Sequence, residues 1–222
     1  FGPDVSRQAN ELTAKTLAFE FQAQLKMNSH TVKFIAERRS QDFNNLFAQN
    51  VSGNFRFDSI QDLINRTPNQ LTLAVPLQGN IDTVRARFNS TVNTIGLQDT
   101  WDVTDNLTVT AGFRWDLFET DDQPVFNPNF LARTGLPNNA TLNGRTLFQP
   151  RASFVWRADD RLTVRASGGL FGGGNPNVWI SNNYSNPGVL LAQANFIRDF
   201  SSGGAVQLRT TDLALTSAQQ AT

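Results

Sequence analysis

Leu107-Thr108-Val109-Thr110-Ala111-Gly112-Phe113-Arg114-Trp115-Asp116-Leu117 alternates without a break. Leu107, Val109, Ala111, Phe113, Trp115 and Leu117 fall on one side, and Thr108, Thr110, Gly112, Arg114 and Asp116 fall on the other. Period two is the signature of an extended strand, whose successive side chains point to opposite faces. Working outward, the same rule governs Leu17, Phe19, Phe21, Ala23 and Leu25 against Thr16, Ala18, Glu20, Gln22 and Gln24. It governs Val32, Phe34 and Ala36 against Lys33, Ile35 and Glu37, with Ile35 as the exception. Downstream, Phe148, Ala152, Phe154 and Trp156 oppose Gln149, Arg151, Ser153 and Arg157, and Leu162, Val164, Ala166 and Leu170 oppose Thr163, Arg165 and Ser167. A less regular strand runs from about Arg85 to Trp101, which makes about six strands and an all-β chain.

The connections alternate between very short and very long. Asn28-Ser29-His30, Val103-Thr104-Asp105-Asn106 and Ala158-Asp159-Asp160-Arg161 are short and built from residues that tolerate turn geometry. The long ones run from about Asp42 to Val84, from Glu119 to Thr146, and from Gly172 to beyond Gly204. Loops of that length are uncommon in compact soluble domains. Antiparallel barrels of the bacterial outer membrane combine tight periplasmic turns with extended extracellular loops. Within the first long loop, Ser59 to Asn65 predicts one or two helical turns, capped by Ser59 and stopped before Pro68. Gly168-Gly169 and Gly172-Gly173-Gly174 bracket the end of the sixth strand, where missing side chains permit close backbone approach.

Composition narrows the class. Lys+Arg and Asp+Glu balance at 19 each, which argues against a basic nucleic-acid surface, so no nucleic-acid partner is expected. No stretch reaches the about 18 to 20 consecutive apolar residues of a membrane-spanning helix, so a membrane role must use strands. There is no cysteine, which removes disulfides and thiolate metal sites. The chain opens at Phe1-Gly2-Pro3 with neither an initiator Met nor a leader, and reads as an internal piece.

Alternation alone also fits a soluble sandwich, and the tryptophans decide against it. Trp101 and Trp156 each precede a short turn and share the apolar phase, while Trp115 and Phe118 fall near the opposite end of their strand. Interfacial aromatic belts have this placement, because the ring is apolar and the indole N–H stays wet. Trp101, Trp115, Trp156, Phe113 and Phe154 are therefore the candidate membrane-interface aromatics. The other phase carries Glu20, Lys33, Arg114, Asp116, Arg151 and Arg165, too many charges for a sandwich core, and these are the candidate lumen residues. An Arg on the lipid face at mid-depth would cost roughly 2 to 4 kcal/mol, which fixes the phase. Asp99 shares the phase of Ile95, Leu97 and Trp101, and only its closeness to the turn accommodates it.

Several segments, in order, resemble the Oar-like TonB-dependent receptors. His30-Thr31-Val32-Lys33-Phe34 resembles that family's turn-and-strand signature, with Ile35 where glycine is usual. Gly96-Leu97-Gln98-Asp99-Thr100-Trp101 and the following Val103 to Val109 are similar to its QD-x-W strand and turn. Gly112-Phe113-Arg114-Trp115-Asp116, Phe148-Gln149-Pro150-Arg151-Ala152-Ser153-Phe154 and Gly169-Leu170-Phe171-Gly172 resemble three further strand ends. The resemblance covers most of the stretch to about Pro187. It implies an antiparallel up-and-down transmembrane barrel of about 22 strands, of which this chain would supply about six as a partial barrel domain over residues 1–222. It also implies an N-terminal plug and a TonB box, neither visible here, and a seventh strand approached by Asp212 to Gln220.

Catalytic constellations are missing. His30 is the only histidine and reads as a turn residue, so zinc clusters and Ser-His-Asp arrangements lack their parts. The glycine clusters lack the Lys-Ser/Thr pair of a phosphate loop. Asp121-Asp122 and Asp159-Asp160 read as solvated loop carboxylates. The chain is expected to be no enzyme and to hold no cofactor or metal. Its expected partners are outer-membrane lipid, the plug and remaining strands of the same protein, TonB, and a solute of unknown class. Its expected place is the bacterial outer membrane, as barrel wall and loops of a receptor that moves a bulky solute. A passive surface or adhesion barrel and a soluble all-β binding domain are the competing readings.

Overall fold

A computed structural model describes residues 4–174 and 177–198. Nine strands lie among them: β1 (Ala9–Met27), β2 (His30–Ala48), β3 (Asn54–Arg56), β4 (Gln70–Pro76), β5 (Ala86–Thr104), β6 (Leu107–Glu119), β7 (Thr146–Arg157), β8 (Thr163–Gly169) and β9 (Leu191–Ile197). Three helices, α1 (Ile60–Ile64), α2 (Pro128–Thr134) and α3 (Asn177–Ser185), fall in the long connections. The six expected strands form one antiparallel sheet in the order β1-β2-β5-β6-β7-β8, each neighbour paired with the next. The sheet is open, with β1 and β8 as its edges. The segment after Arg198, including the expected approach to a seventh strand, lies outside the described residues.

Register turns six separate alternations into two continuous faces. Phe21 pairs with Ala36, Ala36 with Ile95, Ile95 with Trp115 and Trp115 with Phe148. One tier down, Ala23, Phe34, Leu97, Phe113 and Pro150 follow each other in the same way. A slip of one residue in any pair would have mixed the faces. The apolar face is uncovered: Trp115 and Trp156 are each 45 % exposed and Phe21 is 60 % exposed. No second layer seals it among the described residues, whereas a soluble sandwich would bury such a face.

The height of the apolar band is set by polar clusters at its two ends. Toward the short turns, His30 Nδ1 lies 2.6 Å from Asp99 Oδ2, and the His30 ring stacks on Trp101 at 5.4 Å. Toward the long loops, Arg38 donates to Asn93 Oδ1 at 2.7 Å and to Glu119 Oε2 at 3.2 Å. From His30 to Arg38 along β2 is about 27 Å, or about 20 Å once a barrel strand's usual tilt is allowed for, close to the hydrocarbon span of an outer membrane. His30 is thus not a turn residue: the turn is Asn28-Ser29, with Asn28 at φ 48°, and His30 opens β2. It also explains Asp99, which tolerates the apolar phase because a cross-strand imidazole meets its carboxylate.

The buried core sits above that band. Phe43, Ala86 and Phe88 pack under Ile180 and Tyr184 of α3, and Leu46, Ala48, Val84 and Leu190 form a second cluster. The first long connection, expected from about Asp42, starts later, because β2 runs on to Ala48 with loop side chains covering it. The loops are also more ordered than expected. β3, β4 and β9 form a second antiparallel sheet in which β4 pairs with β9 from Gln70–Ile197 to Pro76–Leu191.

The expected helix after Ser59 is α1, with Ser59 Oγ accepting from Asp62 N at 3.0 Å. The Ser59 hydroxyl in turn donates to the Asp62 carboxylate at 2.5 Å, and Arg198 Nη1 donates to it at 3.2 Å, tying α1 to the residue after β9. The Ser59 hydrogen bond above all holds the Asp62 carboxyl below the usual carboxylate range; burial pushes it back up, and Arg198 and Thr67 add to the lowering. A depressed folded pKa gives stabilisation that is complete above the ordinary carboxylate pKa of about 4 and is lost as pH falls through the lower folded value. Acidification below about pH 4 is therefore expected to free the Arg198 guanidinium from α1. Side-chain nitrogen resonances of Arg198 should titrate in the wild type and stay flat in Asp62→Asn, whereas identical titration in both would refute the link.

Candidate functional site on the polar face

The polar face presents a tier with three carboxylates across four strands: Glu20 pairs with Glu37, Glu37 with Thr94, and Thr94 with Asp116. Two acids side by side need counter-charge, and the neighbouring tiers supply it. Arg39 donates to Glu37 Oε1 at 2.8 Å, and Arg114 Nη1 lies 3.9 Å from Glu37 Oε2. Glu20, on the β1 edge, accepts from Gln22.

Asp116 is the centre of the arrangement. Its carboxylate is buried and accepts from Thr94 Oγ1 at 2.6 Å, Arg114 Nε at 2.9 Å and Gln149 Nε2 at 2.7 Å. Arg114 Nη2 also donates to Thr94 Oγ1 at 2.9 Å. Gln149 turns its other end outward, where Oε1 accepts from Gly172 N at 2.6 Å. Buried charge is tolerated only when paired and hydrogen-bonded, and Asp116 meets both conditions. At the end of β8 the backbone needs a residue without a side chain, since a Cβ on Gly169 would lie 2.8 Å from the Pro150 carbonyl; one on Gly172 would lie 2.7 Å from Leu147 Cδ2, a side-chain tip that can move aside. The expected reason for the glycine clusters holds at Gly169.

Of the six residues singled out on this phase, the fold brings Arg114 and Asp116 into direct contact. Lys33 and Arg151 share the polar face two tiers nearer the short turns than Asp116, at the Gln24-Lys33-Gln98-Gly112-Arg151 level, and Arg165 lies lower still, opposite Val155. None of these three joins the Asp116 cluster. Sequence reading missed Thr94 and Gln149, because each lies on a different strand from Asp116 and only register joins them. The period-two phase of Gln149 within the Phe148–Phe154 stretch was the available signal.

Among the aromatics, Trp101, Trp115, Trp156, Phe113 and Phe154 all lie on the apolar face. Phe118 does not belong with Trp115: it is one residue out of phase and lies on the polar face, where it borders a cleft of about 290 Å³ lined by Glu37, Arg39, Thr94, Arg114, Asp116 and Asn177. The arrangement offers paired charges and amide groups for holding a solute.

The outer membrane beta barrel domain family has a model that matches residues 1–221. The chain belongs to this family. No curated protein and no solved structure gives a match. An outer-membrane beta barrel domain accounts for the two faces: strands replace the membrane helix, and among the described residues no helix is long and apolar enough to cross. Membership also gives the location, the bacterial outer membrane.

Proposed function

We propose that this barrel segment is wall and mouth of a TonB-dependent receptor that moves a bulky solute across the outer membrane. On this reading the apolar face meets lipid, and the polar face with its Glu37-Arg114-Asp116 cluster meets the lumen and whatever passes through it. The chain itself performs no chemistry; TonB, a plug and further strands are partners supplied from elsewhere in the system.

The observation that supports this best is the position of α3. A loop helix laid over the polar face constricts the opening that a solute would have to pass. Here α3 folds over the polar face: Asn45 Nδ2 donates to Ser181 Oγ at 2.7 Å, and Ile180 and Tyr184 cover Phe43 and Phe88. On this reading α3 narrows the path that the solute takes.

The test compares accumulation of labelled iron chelates, vitamins, glycans and peptides in cells with and without the protein, before and after a protonophore. Uptake that needs both the protein and the energised membrane is the expected result. Uptake that needs the protein and survives the protonophore would establish the passive barrel in its place.

A further inference from the structure

Above the charged cleft, the polar face of the sheet continues as an apolar pocket of about 400 Å³. Three segments distant in sequence enclose it: the upper ends of β5 and β6 give Phe88 and Phe118, the connection after β6 gives Pro124 and Leu142, and α3 gives Ile180 and Tyr184. Phe118 also borders the charged cleft below, so the two spaces adjoin.

The wall is flat and preformed. Tyr184 stacks on Phe88 with centroids 4.6 Å apart and planes at 9°, and Phe43 extends the stack at 4.9 Å and 22°. The Tyr184 hydroxyl donates to the Asp122 carbonyl at 2.8 Å, which fixes the ring. Burial pushes the Tyr184 phenol up, so it keeps the proton that this hydrogen bond uses. Among the described residues that line it, Glu119 is the one acid, its carboxylate held by Arg38 at 3.2 Å toward the apolar face of the sheet, and none is a cation. A space of this size suits a small molecule, and its apolar wall with a few polar groups at the rim is the ordinary make-up of a ligand site. Phe88 is already stacked on both faces, by Phe43 and Tyr184, so a bound ring would meet the edges of this stack, and edge-to-face contact adds to simple burial for an aromatic ring but not for a branched aliphatic group.

We propose that this pocket holds a neutral, planar aromatic group of the solute, whose polar remainder reaches the Glu37-Arg114-Asp116 cleft. The assignment rests on the transport reading for the word solute, while the pocket as a ligand site stands on its own geometry.

Tyr184 is the only tyrosine in the chain, so 3-fluorotyrosine places a single fluorine reporter on the pocket wall. The full chain in lipid nanodiscs is titrated with 2-naphthol, with cyclohexanol and maltose as non-aromatic comparisons. A saturable shift of the fluorine resonance is expected with 2-naphthol, at least tenfold weaker with cyclohexanol and absent with maltose. Leu142→Trp, which fills the pocket, should weaken the 2-naphthol response at least tenfold. Phe118→Ala, which removes a wall without adding bulk, should weaken it severalfold and serves where the filled variant fails to fold. No saturable shift, equal response to cyclohexanol, or a shift that both variants leave unchanged would overturn the proposal. The protonophore experiment reads transport separately, so binding without energised uptake removes the receptor role and leaves the pocket.

Discussion

Phe113→Arg is expected to destabilise the chain in lipid vesicles by at least about 3 kcal/mol, more than a hundredfold in the folded ratio, because a guanidinium in mid-hydrocarbon costs roughly 2 to 4 kcal/mol before the lost ring is counted. Phe113 lies midway along the apolar side of β6, flanked by Leu97 and Pro150, and its ring is 5.4 Å from that of Phe148. The comparison that gives this its meaning is Ser153→Arg, on the polar side of β7 between Thr110 and Ser167. There the same charge meets water, and the change should stay within about 1 kcal/mol. Urea midpoints of the two variants, measured in the same vesicles, decide the matter. Equal shifts would mean that the two faces do not meet different solvents, and the membrane reading would go with them.

Asp116→Ala should have the next largest effect, about 2 kcal/mol. The substitution takes the acceptor from Thr94 Oγ1, Arg114 Nε and Gln149 Nε2, while Arg114 keeps its contacts with Thr94 Oγ1 and Glu37. Removing one partner of a fully buried ion pair costs roughly 3 to 5 kcal/mol, and the lower figure allows for the Arg114 side chain, which is 40 % exposed and keeps part of its hydration. Asp116→Asn keeps the shape and one acceptor, and is expected to lose about half as much. Since Gln149 also accepts from Gly172 N, amide exchange at Gly172 should quicken in the alanine variant. A urea midpoint and a Gly172 exchange rate both unmoved by Asp116→Ala would show that the cluster holds nothing in place.

The strands were legible in sequence wherever their two faces meet different surroundings. Leu107 to Leu117 alternates because one side meets an apolar medium and the other a polar one, and the observed β6 begins at the residue that the pattern indicates. The pattern stops being informative where both sides are covered. Phe43 lies under α3 while Leu46 and Ala48 lie under Val84 and Leu190, so β2 continues past Asp42 without any alternation to announce it. β3, β4 and β9 were invisible for a related reason: they are short, and each exists by pairing with a partner that the local sequence does not contain. Ser59, by contrast, was readable because a cap acts over three residues.

The same distinction separates the parts of the candidate site. Arg114 and Asp116 are two apart on one strand, so their common face followed from counting. Thr94 and Gln149 come from the neighbouring strands, and His30 meets Asp99 across β2 and β5 on a diagonal. Each of these partnerships depends on a register that no single strand encodes. Asp99 was noticed as anomalous, and the anomaly was the trace of the missing partner.

The lacing of β4 to β9 governs how this surface can change over generations. Thr72 and Asn195 are 123 positions apart and joined by a 2.8 Å hydrogen bond, so the two connections that bear them are inherited as one mechanical piece. Gly79, Gly135 and Gly144, each at a left-handed turn facing open space, are where added residues can be absorbed. A single residue inserted within Gln70–Pro76 would invert every later rung and unzip both connections together. Changes of length therefore have room at the glycine tips and almost none along the rungs.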